Sequence, residues 1–131
     1  MSDDRLGRAM LGMAKKGWQA LREMADNPAI ADEIFGFHAQ QAVEKSLKAW
    51  LALRGVDAPR THNLILLFDG LDECGVDVEP FWDLVSLNTF AVQFRYEAME
   101  PDAERLDREA TLQQVPALVE CVEKIFSKAS E

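Results

Sequence analysis

The stretch Ile30–Gly55, IADEIFGFHAQQAVEKSLKAWLALRG, decides the fold of this chain. It contains no proline, is rich in residues of high helix propensity, and ends at a glycine suited to the left-handed position after a helix. It therefore predicts one long helix of about seven turns. Apolar residues cover most of its circumference, so we expect this helix to contact neighbours on several sides and to lie at the centre of a bundle.

The polar residues of this helix share one sector of about 120° when successive residues are placed 100° apart. A polar stripe on a central helix is at least partly enclosed by the neighbouring helices. Glu44 and Lys48 within the stripe have the i, i+4 spacing of a stabilising ion pair. The stripe consists of His38, Gln41, Glu44, Lys45 and Lys48.

Helical spacing of apolar residues continues on both sides of the long helix. Residues 4–25 repeat apolar side chains three and four positions apart, which predicts an amphipathic first helix. After the long helix, either Thr61 or Asn63 is placed to cap a short third helix, which is expected to stop near residues 74–75.

Two more helices are expected in the second half of the chain. Pro80 lies where a helix can begin, and apolar residues at helical spacing follow it as far as Phe94, which predicts a fourth helix. Thr111 and Gln114 have the spacing of a capping box for a last helix. Pro116 is expected to kink that helix or to delay its start.

The resulting fold class is all-α, because no stretch alternates apolar and polar residues as a half-buried strand would. We predict an up-and-down bundle of four to five helices, largely antiparallel because the links between them are short. A chain of this length buries a single core, so residues 1–131 are expected to form one domain.

Composition excludes several classes of function. With 23 acidic and 14 basic residues the net charge is −9, which opposes non-specific binding to nucleic acid while leaving room for a local basic site. Cys74 and Cys121 match no metal-ligand spacing and are expected to be reduced thiols.

The sequence lacks a signal-peptide pattern and an apolar run of membrane-spanning length, so we expect a cytoplasmic protein that does not contact membranes. No metal site or cofactor is expected, since no glycine-rich phosphate loop or Glu-x-x-His pair is present.

Three segments of the chain form a recognisable series: FHAQQAVEKSLKAWL at Phe37–Leu51, THNL at Thr61–Leu64, and the Arg95–Tyr96 pair towards the end of the predicted fourth helix. Together they resemble the HEPN domain, a small helical bundle. Each segment alone is unspecific, and their order along about half of the chain makes the match fairly specific. The resemblance implies an up-and-down bundle that forms a homodimer and has a role tied to nucleotides or RNA. It also implies a partner of the nucleotidyltransferase type, often in a toxin–antitoxin arrangement.

The chain departs from the family members that cleave RNA. Those members resemble one another in an arginine that is followed one to two helical turns later by a histidine, whereas no histidine follows Arg95 here. Metal-independent RNA cleavage needs a group that titrates near neutral pH and a cation for the phosphorane. Arg95 is a candidate for the cation, and His62 is the candidate proton carrier, delivered from another helix or from a second subunit.

These observations lead to one favoured hypothesis and two alternatives. The favoured one is a non-catalytic, homodimeric HEPN-like module that binds a nucleotide or a partner protein and is accessory to a nucleotidyltransferase in a toxin–antitoxin type system. The alternatives are a metal-independent ribonuclease of the toxin type and a helical dimer without a ligand. The candidate ligand-binding residues are Gln41, Lys45, Lys48, His62, Asn88, Arg95 and Tyr96.

Each candidate also has a purely structural interpretation. Arg95 is equally suited to pair with a buried carboxylate such as Glu44, Asn88 to hydrogen-bond a neighbouring helix, and His62 to cap a turn. The tryptophans are interpreted as core packing, with a dimer interface as the alternative for one of them. They are Trp18, Trp50 and Trp82.

Overall fold

The computed structural model describes residues 4–91 and 106–129, and within these ranges the chain is all helical, with no strand. The described residues form four α-helices and one 3-10 helix, and none of these helices is long and apolar enough to cross a membrane. The elements are α1 (Asp4–Met24), α2 (Asp32–Leu53), α3 (Leu64–Glu73), a 3-10 helix (Glu79–Phe90) and α4 (Arg108–Ala129).

Helix α2 is the centre of the bundle, as the sequence predicts. It packs against α1, α3, α4 and the 3-10 helix, and its contact with α1 is the most extensive in the described structure. Gly36 allows the closest of these approaches, because a Cβ atom at this position would lie 2.5 Å from the ring of Phe90. The predicted all-α fold is therefore confirmed, with the long helix buried on several sides.

The ends of α2 and α3 also follow the sequence-based expectation. Gly55 adopts a φ of +77°, which is the left-handed conformation that terminates α2. Asn63 is the N-cap of α3, and its side-chain oxygen accepts a hydrogen bond from the backbone N–H of Ile65 at 3.0 Å. Helix α3 ends before Cys74, and Gly75 follows with a φ of +86°.

The predicted fourth α-helix is a 3-10 helix over Glu79–Phe90. Its buried side chains, Leu84, Leu87 and Phe90, are three residues apart, and half-buried Phe81 continues the series towards the N-terminus. A period of three aligns these side chains along one face of a 3-10 helix, whereas an α-helix of 3.6 residues per turn would rotate them apart. Over Glu79–Phe90 the α-helical interpretation was wrong, because it counted apolar residues without separating the two periods. Its predicted continuation to Phe94 lies outside the described residues.

The last helix begins earlier than the capping-box interpretation predicted. Its first residue is Arg108, and the carboxylate of Asp107 accepts a hydrogen bond from the backbone N–H of Ala110 at 3.0 Å. Thr111 is inside the helix, where its hydroxyl donates to the Asp107 carbonyl at 2.8 Å. Pro116 also lies inside the helix, so it does not delay the start. The Asp cap satisfies a free N–H group of the first turn as the predicted Thr cap would have done, but four residues earlier in the chain.

Only one of the three tryptophans is fully part of the core. Trp50 is 7% exposed and meets Phe81 edge to face, whereas Trp18 is half-buried. Trp82 is 42% exposed and contacts Phe68 from the outside, with ring centroids 5.6 Å apart. Its assignment to core packing was wrong, because on the 3-10 helix it lies one residue beyond the buried face.

Arg108 ties α4 to the turn between α1 and α2. Its Nε donates to the carboxylate of Asp32 at 2.9 Å, and its guanidinium lies 5.0 Å from the centre of the Phe35 ring. The remaining N–H groups donate to four backbone carbonyls of the turn, those of Met24, Ala25, Asn27 and Ile30. The Met24 and Asn27 carbonyls also accept backbone N–H groups of the turn, so the guanidinium adds to the hydrogen bonds that the turn makes within itself.

We expect Arg108→Lys to lower the free energy of unfolding by about 2 kcal/mol, because an ammonium cannot reproduce the planar fork of donors. Urea denaturation followed by circular dichroism measures this loss. Arg22→Lys is the matched control, since Arg22 is exposed in the last turn of α1. Equal stability of the two variants would show that the Arg108 contacts do not hold the turn.

Candidate functional site

A fully buried carboxylate on the central helix organises the polar stripe. Glu44 has a relative exposure of 0%. Its Oε1 atom lies 2.8 Å from Nδ1 of His62 and 3.2 Å from Nε2 of Gln40, and its Oε2 atom lies 3.1 Å from Nζ of Lys48 and 3.3 Å from Nζ of Lys45. We call Glu44 and these four partners the Glu44 cluster.

The regular spacing of α2 and the position of the α2–α3 link together create this cluster. Gln40, Glu44 and Lys48 are four residues apart and therefore follow one another along a single face of the helix. His62 belongs to the link and lies next to the Asn63 cap of α3. Gln40 fixes the position of His62, because its amide donates to the backbone carbonyl of His62 at 2.8 Å.

His62 combines a fixed orientation with an accessible ring. Its Nδ1 atom faces the Glu44 carboxylate, while 66% of its side chain is exposed to solvent. A carboxylate on one ring nitrogen holds the imidazole in place and favours the proton on that nitrogen. The other ring nitrogen is then left for a ligand or for proton transfer, the arrangement that carboxylate–histidine pairs use in acid–base catalysis.

Asn88 lies beside the cluster and not in it. Its side-chain oxygen accepts from the backbone N–H of Leu64 at 2.8 Å, and its amide donates to the Asn63 side chain at 2.8 Å. The two asparagines thus satisfy the first N–H groups of α3 and join that helix to the 3-10 helix. The hydrogen bond to a neighbouring helix that the sequence suggested for Asn88 is confirmed.

Burial and hydrogen bonding shift the pKa of Glu44 in opposite directions. Burial raises its pKa, since a charge is poorly solvated inside the bundle. Hydrogen bonds from His62, Gln40 and Lys48, together with the charge of Lys48, lower the pKa and outweigh that effect. The pKa of Glu44 consequently lies below its ordinary value of 4.5, and the carboxylate is charged at neutral pH.

The cluster carries an excess of positive charge in a protein whose net charge is −9. Two ammonium groups contact one carboxylate, so the sum is positive even when His62 is neutral. The side chains of Lys45 and Lys48 keep exposures of 19% and 14%, which leaves both in reach of a solvent-borne anion. Within the described ranges no group of three His, Cys, Asp or Glu side chains is arranged to hold a metal ion.

The structure brings some predicted site residues together and not others. Lys45, Lys48 and His62 contact Glu44 directly, and Gln41 reaches the cluster by donating to Gln40 at 2.7 Å. His38 instead meets Phe37 edge to face, with ring centroids 5.5 Å apart. Arg95 and Tyr96 lie outside the described residues, and so does the proposed pairing of Arg95 with Glu44.

Sequence reasoning missed Gln40 and the contact between Glu44 and His62. The position of Gln40, four residues before Glu44, was a usable signal, because side chains at i and i+4 are neighbours on a helix. The histidine contact had no such signal, since it joins residues 18 positions apart. The i, i+4 pair of Glu44 with Lys48 is confirmed at 3.1 Å.

We expect Glu44→Gln to lower the free energy of unfolding at neutral pH by about 3 kcal/mol, because it leaves two half-buried ammonium groups without a counter-charge. The loss should shrink on acidification. The folded protein has the lower pKa at Glu44, so the unfolded chain takes up the proton first, and this stabilisation is lost as pH falls through the folded-state pKa, below 4.5. Urea denaturation of both proteins from about pH 7 to about pH 3 measures the difference.

Glu120→Gln is the matched control, because Glu120 is an exposed residue of α4. Its effect should stay within about 0.5 kcal/mol at every pH. A loss for Glu44→Gln that stays constant down to the lowest pH would contradict a role for the ionised carboxylate.

Comparison with known proteins places the whole bundle in one family. The family model for the HEPN domain matches residues 9–131, which is nearly the full chain. No curated protein and no solved structure matches this chain. The match spans all of the segments that carry the resemblance in the sequence, including the α2 face that holds the Glu44 cluster. Membership of this family implies a module of the nucleotide-binding or ribonuclease type, and the chain belongs to the HEPN domain family.

Proposed function

We propose that this protein is a non-catalytic, single-domain HEPN module that binds a phosphate group of a nucleotide or of RNA at the Glu44 cluster. The single observation that carries the proposal is the convergence of two half-buried lysines and an oriented histidine on one buried carboxylate. The carboxylate fixes the three side chains before any ligand arrives, which reduces the entropy that a ligand would otherwise lose in ordering them.

The lysines of the cluster have N–H donors beyond those that contact Glu44. An ammonium group carries three N–H donors, and Lys45 and Lys48 each direct one contact to the carboxylate. The exposed part of the His62 ring adds a further donor when the ring is protonated. Charged donors of this kind form strong hydrogen bonds with phosphate oxygens.

The acidity of the rest of the protein argues for a local, specific ligand site. A net charge of −9 repels a polyanion from most of the surface. Binding therefore depends on the few cations of the cluster, and its dependence on salt should correspond to a small number of phosphate contacts.

The assembly that we propose is a cytoplasmic homodimer accessory to a nucleotidyltransferase-type partner in a toxin–antitoxin type system. Its support is the family, since HEPN domains commonly dimerise. Exposed Trp82 is a candidate contact, because large aromatic side chains are enriched at protein interfaces. Light scattering of the purified protein, alone and mixed with such a partner, tests the assembly.

A second candidate function is metal-independent ribonuclease, and the geometry of His62 supports it. A carboxylate–imidazole pair at 2.8 Å with an exposed ring can take the proton of a 2′-hydroxyl, and the adjacent Lys45 and Lys48 can stabilise the phosphorane. This arrangement supplies the proton carrier that is missing after Arg95 in the sequence.

We expect a short single-stranded oligonucleotide to bind the protein, and Lys45→Gln to weaken that binding and to reduce the slope of log K against log salt by about 0.7. Fluorescence anisotropy over a salt series measures both quantities. Lys16→Gln is the matched control. Lys16 is exposed on α1, so this substitution removes the same charge from a position outside the cluster. Equal binding by the two variants would argue against the site, and no binding by any protein would favour the helical dimer without a ligand.

Binding and cleavage are separated by an assay of labelled RNA in the presence of a chelator. We expect wild-type protein and His62→Asn to leave the RNA intact, since the favoured function involves no reaction. Cleavage by the wild type that is lost in His62→Asn and retained in Lys16→Gln would overturn the non-catalytic proposal and establish the ribonuclease.

A further inference from the structure

A cavity of about 440 Å³ lies next to the Glu44 cluster, at the end of α2 where the chain turns towards α3. Its apolar side is formed by Leu6 and Met10 of α1 together with Val56 and Pro59 of the α2–α3 link. The volume is within the range that small-molecule sites usually have, which is roughly 300–1,000 Å³.

Charged groups also line this cavity. Lys48 and Arg60 contribute positive charge and Asp57 contributes negative charge, so the lining has a net positive charge of one. Lys48 links the cavity to the cluster, because its ammonium contacts Glu44 at 3.1 Å while its side chain lines the cavity. Arg60 is exposed and belongs to the cavity alone.

The lining does not suit a nucleobase. Proteins that bind single bases usually stack them on aromatic rings, and no aromatic side chain is among the described residues that line this cavity. Aliphatic side chains together with two cations in one lining instead match a ligand with an aliphatic body and one anionic head. The phosphate ligand proposed for the Glu44 cluster is thus a different molecule from the one that this cavity fits.

We propose that the cavity is a binding site for a small amphipathic anion, such as a medium-chain carboxylate. The aliphatic body rests on Leu6, Met10 and Val56, where burial of apolar surface stabilises it. The carboxylate faces Arg60 and Lys48, and a guanidinium is suited to hold a carboxylate through two parallel N–H groups. The site does not depend on the proposed function of the Glu44 cluster.

The experiment is an isothermal titration of the full-length protein with octanoate, with octylamine and acetate as comparison ligands. Octylamine keeps the aliphatic body and reverses the charge, whereas acetate keeps the charge and lacks the body. Because the protein has a net charge of −9, its overall field favours the amine, and only the local cations favour octanoate. We expect octanoate to bind more tightly than either comparison ligand.

The test variant is Arg60→Gln, which changes an exposed residue and should fold normally. Its affinity for octanoate should fall about tenfold, as expected for the loss of one charge-assisted contact. Arg22→Gln, at an exposed position on α1, should bind octanoate as the wild type does. Absence of octanoate binding, equal affinity for octylamine, or unchanged affinity of Arg60→Gln would each overturn the proposal.

Discussion

A carboxylate that is buried completely must be hydrogen-bonded and paired, and Glu44 imposes this requirement at the centre of the bundle. Its partners come from α2 itself and from the link that leads into α3. The charge of Glu44 therefore fixes the position of the link that leads into α3. It also orients the lysines of α2. Every buried side-chain nitrogen and oxygen in the described ranges has a partner, so the bundle meets this requirement throughout.

The same constraint gives the protein a positive site on an acidic surface. Ionised Glu44 stabilises two ammonium groups close together, which repel one another when no counter-charge is present. The cost of burying the carboxylate is offset by contacts that also hold the lysines and the histidine in place. Stability and the proposed phosphate binding would thus depend on the same residue, and Lys48 also lines the neighbouring cavity.

The remainder of the bundle is arranged around α2 by two less regular features. The 3-10 helix presents one apolar residue in every three to α2, which permits the ring of Phe90 to lie on Gly36. Arg108 donates to Asp32 and to backbone carbonyls of the turn after α1, and thereby joins the start of α4 to the start of α2. Both features hold neighbouring elements against α2, the helix that carries Glu44.

The sequence by itself determined the local features. The central helix, its Gly55 terminus, the all-α class and the Glu44–Lys48 pair all depend on propensity and on spacings within one turn, which are properties of neighbouring residues. Either Thr61 or Asn63 was expected to cap α3, and the structure shows Asn63. Only the tertiary structure decided the features that join distant parts of the chain. The partnership of Glu44 with His62, the clamp at Arg108 and the cavity at Arg60 arise from packing between elements, and no periodicity along one helix encodes which residues of another element will meet it.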